Sequence, residues 1–297
     1  RFPPTGAATP FADLARPLRR AGIRTVSGPI VADDSLFDDH TMVPSWPAYY
    51  ADYTQPLSAL AVNQDYAGDD RSRDADRPWL AAAQRLRNTL TGLGIRHRGA
   101  LRHGRTPPGV RSLGVARSAP LARAVREMNL HSDNFIAEML VKNVGVHALG
   151  AGSTAAGTER IRQVLIQRRI LTPADRLADG SGLSRDNRLS AASLARVIAA
   201  ADGDRSWGRA LLASLPHGGE GTLIRRLTEA DVAPRVQAKT GFINGAASLS
   251  GRVISRNGQR YAFAFLMNTD RIGEAQQLQD RVVALLARGA EDTGRTR

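Results

Sequence analysis

Between Pro78 and Gly94 the apolar residues Trp79, Leu80, Ala83, Leu86, Leu90 and Leu93 recur mostly three or four positions apart, which is the spacing of one helix face. Pro78 suits a first helical turn and Gly94 a stop. Phe11 to Gly22 predicts a shorter helix despite Pro17. The most helix-prone part is Leu121 to Val146, interrupted around His131-Ser132-Asp133-Asn134. A helix near Thr158 to Arg169, a turn-rich stretch from Ala178 to Leu189, a helix that Ser190 could cap, and a last amphipathic helix over Ile272 to Arg288 complete the helical reading. Shorter apolar runs predict strands: Thr25, Val26, Ile30 and Val31 around a Gly28-Pro29 break, Leu57 to Val62, Val236 to Thr240, Ala246 to Ser255, and Arg260 to Met267. Gly241, Gly245 and the hairpin signal Asn257-Gly258 punctuate the last three.

The punctuation also suggests domains. The opening, with Pro3, Pro4, Gly6 and Pro10, reads as irregular, and a charged loop follows Val62 through Arg77. Arg96 to Arg111 holds Gly99, Gly104, Pro107, Pro108 and Gly109, the best candidate for a boundary. At 297 residues and 42% hydrophobic the chain reaches the size at which one core stops growing. Two domains are expected, residues 1–110 and 111–297, the second a helix-flanked antiparallel sheet, in a mixed α/β (α+β) fold. Trp46, Tyr49, Tyr50 and Tyr53 form an aromatic cluster that reads as a buried or surface-anchoring patch.

Charge narrows the partners only slightly. A formal +13 attracts polyanions, but the arginines come in pairs such as Arg19-Arg20, Arg168-Arg169 and Arg225-Arg226 rather than in runs, which reads as a solvated surface. No recognised nucleic-acid motif accompanies them, so nucleic acid is not an expected partner. With no cysteine there is neither disulfide nor thiol nucleophile. No apolar stretch approaches the ~20 residues of a membrane span. The chain starts at Arg1 without a signal segment and is expected to be processed or incomplete there. The six histidines include no helix-spaced pair, so neither a metal nor a cofactor is expected. His131 reads as a helix-start residue, and Gly218-Gly219-Glu220-Gly221, without a following lysine, as a tight turn.

Only two of the 41 basic residues are lysines, Lys142 and Lys239. An ammonium shifts its proton affinity when desolvated and a guanidinium does not, so each lysine is a marked choice. Lys239 opens Lys239-Thr240-Gly241, 107 residues after Ser132-Asp133-Asn134. Alone, the first triplet is an ordinary helix start and the second a strand ending at a glycine turn. Together they are two of the three motifs of serine acyl-enzymes that react with penicillin. The third, S-x-x-K, is absent, since Met139 precedes Lys142 by three and Val236 precedes Lys239 by three.

The chain resembles the D-alanyl-D-alanine carboxypeptidase/endopeptidases of the penicillin-binding protein 4 type. The resemblance rests on Ser118-Ala119-Pro120-Leu121, Met128 to Asn134, Asp179-Gly180-Ser181-Gly182-Leu183-Ser184-Arg185, Gly221-Thr222-Leu223 and Lys239-Thr240-Gly241. It extends back to Val31 to Phe37 and Leu57-Ser58-Ala59-Leu60, which look like that family's inserted domain. It implies a penicillin-binding-protein/β-lactamase-like catalytic domain interrupted by an inserted strand-containing domain, residues 1–110 being part of the latter. It implies that Ser132 relays a proton, Asn134 binds the substrate amide, Lys239 with Thr240 holds the terminal carboxylate, and the Phe242 N–H, after Gly241, donates to the oxyanion. Peptidoglycan stem peptides are the implied substrates in an exported, cell-envelope enzyme without cofactor, and β-lactams are ligands where the nucleophile segment is present. The nucleophile and its lysine belong to the missing motif, so a fragment of a longer enzyme is expected, inactive by itself. The alternative is a non-catalytic envelope protein that binds such peptides.

Overall fold

The computed structural model describes residues 11–62 and 77–289, and the irregular opening and most of the charged loop after Val62 lie outside them. The chain divides into two compact units, the first drawing on the chain up to Pro120 together with Ala137–Arg160, the second on Leu121–Ile136 and the chain from Ile161 onward.

In the first unit, α1 (Ala12–Arg20) and α2 (Pro78–Gly92) accompany two short parallel ladders. β1 (Thr25–Val26) pairs with β3 (Arg96–His97), and β2 (Ile30–Ala32) with β4 (Leu101–His103). The glycine- and proline-rich stretch proposed as a boundary thus supplies strand partners. Gly99 is required where it stands, since a Cβ there would lie 2.0 Å from the Gly28 carbonyl oxygen. Ala15, Leu90 and Ile95 are the buried centre, with Leu18, Val26 and Leu86 against them. Most of the aromatic cluster lies in a 3₁₀ helix over Ala48–Tyr53; Tyr50 is buried and meets the buried Trp46, which precedes the helix, edge to face, while Tyr49 and Tyr53 are exposed. Leu57 to Val62 is not the expected strand. Leu57 is buried, but the Ser58 hydroxyl accepts the Leu60 N–H and the Ser58 carbonyl the Ala61 N–H, so local turn bonds outcompete a ladder.

The second unit contains α3 (Leu121–His131), the start of α4 (Asn134–Leu149), the second half of α5 (Thr154–Gln167), α6 (Ala191–Gly203), α7 (Gly208–Ser214), α8 (Ile272–Arg288), and the strands β5 (Val236–Ile243), β6 (Ala246–Ile254) and β7 (Arg260–Asn268). The strands form one antiparallel sheet in the order β5-β6-β7. Alternation along β6 buries Ala247, Leu249, Gly251 and Val253 on one face. Of these, Leu249 and Val253 join Val236, Ala238 and Phe263 in one core with Val283, Ala284 and Ala287 of α8. Burying side chains of this size stabilises by about 1.5–3 kcal/mol each for the larger ones. The other face carries Gln237, Lys239, Ser250 and Arg252, and meets α6 and α7. Ser190 caps α6 as expected, its hydroxyl accepting the Ser193 N–H. β5 runs past Gly241, which pairs with Ser248, and turns only at Asn244-Gly245. Helix α7 carries no readable period in its seven residues.

Candidate active site

The site is built where a helix break meets β5. The break comes from Ser132, whose φ of 55° places it in the left-handed region that non-glycine residues enter at a cost. Beyond it the Asp133 carboxylate accepts the Ile136 N–H at 2.8 Å and so caps α4. Three polar residues thus do different things: one turns the chain, one caps, and Asn134 becomes the first residue of α4. His131 closes α3 rather than opening α4, its Nε2 3.5 Å from Glu127 Oε2 one turn back.

The break is held from behind. Asn129 is buried and donates from Nδ2 to the Ser214 hydroxyl at 2.7 Å, tying α3 to the end of α7. Gly221 passes so close that a Cβ would lie 2.3 Å from the Leu130 carbonyl oxygen, and its φ is +48°. The tight turn expected around it is present, with the Gly219 N–H donating to the carbonyls of Leu223 and Arg226. These contacts give the Gly221-Thr222-Leu223 motif a physical role, that of letting a turn seat against the residue two before Ser132.

Lys239 is brought to Ser132 by its place on β5. Its Nζ donates to Ser132 Oγ at 2.9 Å and to its neighbour's Thr240 carbonyl at 2.5 Å. Burial pushes its pKa down from 10.5 to about 8. Among the described residues no carboxylate lies within ion-pair distance of it. Lys142 contrasts in every respect. It is fully buried in the first unit, paired with Asp38 Oδ1 at 2.5 Å and the His40 carbonyl at 2.7 Å, with its ammonium over the Phe37 ring. One lysine is neutralised by a structural partner and the other is desolvated without one.

Of the sequence-predicted site residues, the structure joins Ser132 and Lys239 directly. Asn134 follows two residues after Ser132, and Thr240 and Gly241 continue β5 opposite Leu249 and Ser248. Phe242 ends the row with its side chain exposed. The turn-rich stretch expected from Ala178 to Leu189 carries no assigned site role in the sequence, yet its segment Asp179 to Arg185 is organised beside the site strand. The buried Asp179 carboxylate gathers it, accepting from the N–H groups of Gly182 at 2.9 Å and Ser184 at 2.5 Å and from Asn187 Nδ2 at 2.8 Å. Arg185 then reaches the β5–β6 turn, donating to the Asn244 carbonyl at 2.6 Å. The turn-rich composition and the place in a recognised motif are the signals the sequence offers for it.

A serine at a helix break is hydrogen-bonded to a lysine on a helix-flanked antiparallel sheet, and the fold is that of the penicillin-binding proteins. The crystal structure of penicillin binding protein 4 from Haemophilus influenzae matches with a TM-score of 0.75 over 92% of this chain and 78% of that one, at 21% identity. The chain belongs to the D-Ala-D-Ala carboxypeptidase 3 (S13) family, which matches residues 3–69 and 61–289. It is 34% identical over 273 residues to a carboxypeptidase of Mycobacterium tuberculosis and 33% identical over 279 residues to carboxypeptidase DacB of Mycolicibacterium smegmatis. Both matches cover 89% of this chain and 58% of the relative, so the chain spans under two thirds of the length of those relatives.

Proposed function

We propose that this chain carries the recognition and proton-relay half of a serine D-Ala-D-Ala carboxypeptidase/endopeptidase acting on peptidoglycan stem peptides in the cell envelope. Residues 1–110 correspond to its inserted domain, and the remainder to the catalytic domain. The observation that carries the reading is the bond from Lys239 to Ser132 across 107 residues of chain, made by a desolvated ammonium that has no carboxylate partner among the described residues. Such an ammonium recognises a free peptide carboxylate, and the bonded hydroxyl can pass a proton to the departing amine. Asn134 binds the peptide amide, Thr240 shares the carboxylate, and the Phe242 N–H donates to the oxyanion. Serine acyl transfer also needs a nucleophile beside a base, which the missing S-x-x-K would supply, and β-lactams become ligands with it.

Calorimetry with a peptide ending in D-Ala-D-Ala tests the recognition half. The acid is expected to bind and its C-terminal amide to bind more weakly, with Lys239→Ala costing the acid about 1.5–3 kcal/mol, the range for hydrogen bonds to charged groups. Equal binding of acid and amide overturns the assignment of Lys239.

A further inference from the structure

The second unit holds a cleft of about 540 Å³ on the α6 side of the sheet, lined by Arg205, Arg209, Arg252, Arg260, Asp202 and Asp204. Four guanidinium groups against two carboxylates leave an excess of positive charge, and the carboxylates are already committed. Asp202 Oδ1 accepts Arg252 at 2.8 Å and Arg260 at 2.7 Å. Asp204 Oδ1 accepts the Ser206 N–H at 2.7 Å, the Ser206 hydroxyl at 2.6 Å and the Trp207 N–H at 3.2 Å, which closes the turn into α7. Those bonds hold the Asp204 carboxyl below its ordinary pKa, so it stays an anion turned to its own loop. Arg205 and Arg209 are exposed and find no acceptor among the described residues. The paired arginines form the wall, and the unpaired ones are its recognition groups.

We propose that this cleft binds an anionic polyol-phosphate polymer, joined by phosphodiesters but not a nucleic acid, one phosphate being seated between Arg205 and Arg209. A guanidinium presents its donors as a rigid fork that matches two phosphate oxygens, and two forks without internal partners break no protein bond when they turn to a ligand. A volume of about 540 Å³ exceeds what one phosphate fills and suits a repeating unit of such a chain. The net charge of +13 adds long-range attraction for a polyanion over a small ion. The proposal does not depend on the reading of Lys239.

The test is titration at fixed ionic strength with three probes: poly(glycerol phosphate), inorganic phosphate and polyglutamate. Arg205→Gln/Arg209→Gln is compared with Arg168→Gln/Arg169→Gln, which removes the same charge from exposed positions after α5. The polymer is expected to bind the unaltered protein more tightly than either other probe, to lose about tenfold or more in affinity in the first variant, and to lose no more than about twofold in the second. Equal losses in the two variants would assign the binding to net charge and overturn the proposal. Equal binding of inorganic phosphate would overturn the polymer, and equal binding of polyglutamate the phosphodiester class. Neither Arg205 nor Arg209 supports the fold, so an unchanged melting temperature is expected in the first variant.

Discussion

Replacing Lys239 by methionine keeps a flexible side chain of similar length and removes the ionisable amine. The folded pKa of about 8 lies below the ordinary lysine value of 10.5, a difference that corresponds to about 3.4 kcal/mol between the two protonation states. The sign follows from proton counting. Between pH 8 and 10.5 the unfolded chain holds the proton more tightly than the folded one, so the stability of the lysine protein rises with pH across that window. Below it the charge is present in both states and the full penalty acts; above it the amine is neutral in both. Because the side chain is only half-buried, solvent reduces the effect, and about 2 kcal/mol is expected, with 3.4 as the ceiling. Urea unfolding of both proteins near pH 7 and near pH 10.5 gives the difference, and other titrating groups cancel between them. The stability of the lysine protein relative to the methionine variant should increase by that amount. A flat difference, or one that falls with pH, would mean that the bonds to Ser132 and Thr240 offset desolvation and that the ammonium is not poised.

Three further outcomes are expected. Ser132→Gly should be more stable than Ser132→Ala by about 1–2 kcal/mol in thermal or urea unfolding, because both lose the hydroxyl but only glycine is free of the left-handed cost; equal stabilities would place the strain elsewhere. Gly221→Ala should cost about 2–4 kcal/mol, combining a strained φ with a clash against the Leu130 carbonyl, and a neutral substitution would show that the turn yields without disturbing α3. Incubated with penicillin, these 297 residues should show no covalent adduct by intact mass, since neither lysine has a serine three residues before it; a stable adduct on any serine would refute this.

What the sequence disclosed depended on the range of the interaction. The alternation in β6 and β7 and the period of α2 are written in every second or every third and fourth residue, and the elements stand where the pattern puts them. Leu57 to Val62 has a strand's composition but is governed by one hydroxyl, that of Ser58, which no apolar pattern reports. The Ser132 to Lys239 pairing was accessible only as two motifs in order. Nothing in the spacing reveals that Ser132 takes a left-handed conformation, that Asp133 accepts the Ile136 N–H, or that Arg185 reaches the β5–β6 turn, because each depends on atoms brought together by the finished fold.

The two faces of β5 carry a constraint on how this site can change. Val236 and Ala238 are locked in the core while Gln237 and Lys239 look the other way, so inserting one residue between Val236 and Lys239 would turn the ammonium into the core and offer Ser132 a methyl group. Chemistry and folding therefore share one reading frame along this strand. Length variation has its natural outlet at the Asn257-Gly258 turn between β6 and β7, where an added residue lengthens a loop and leaves the phase of β5 untouched.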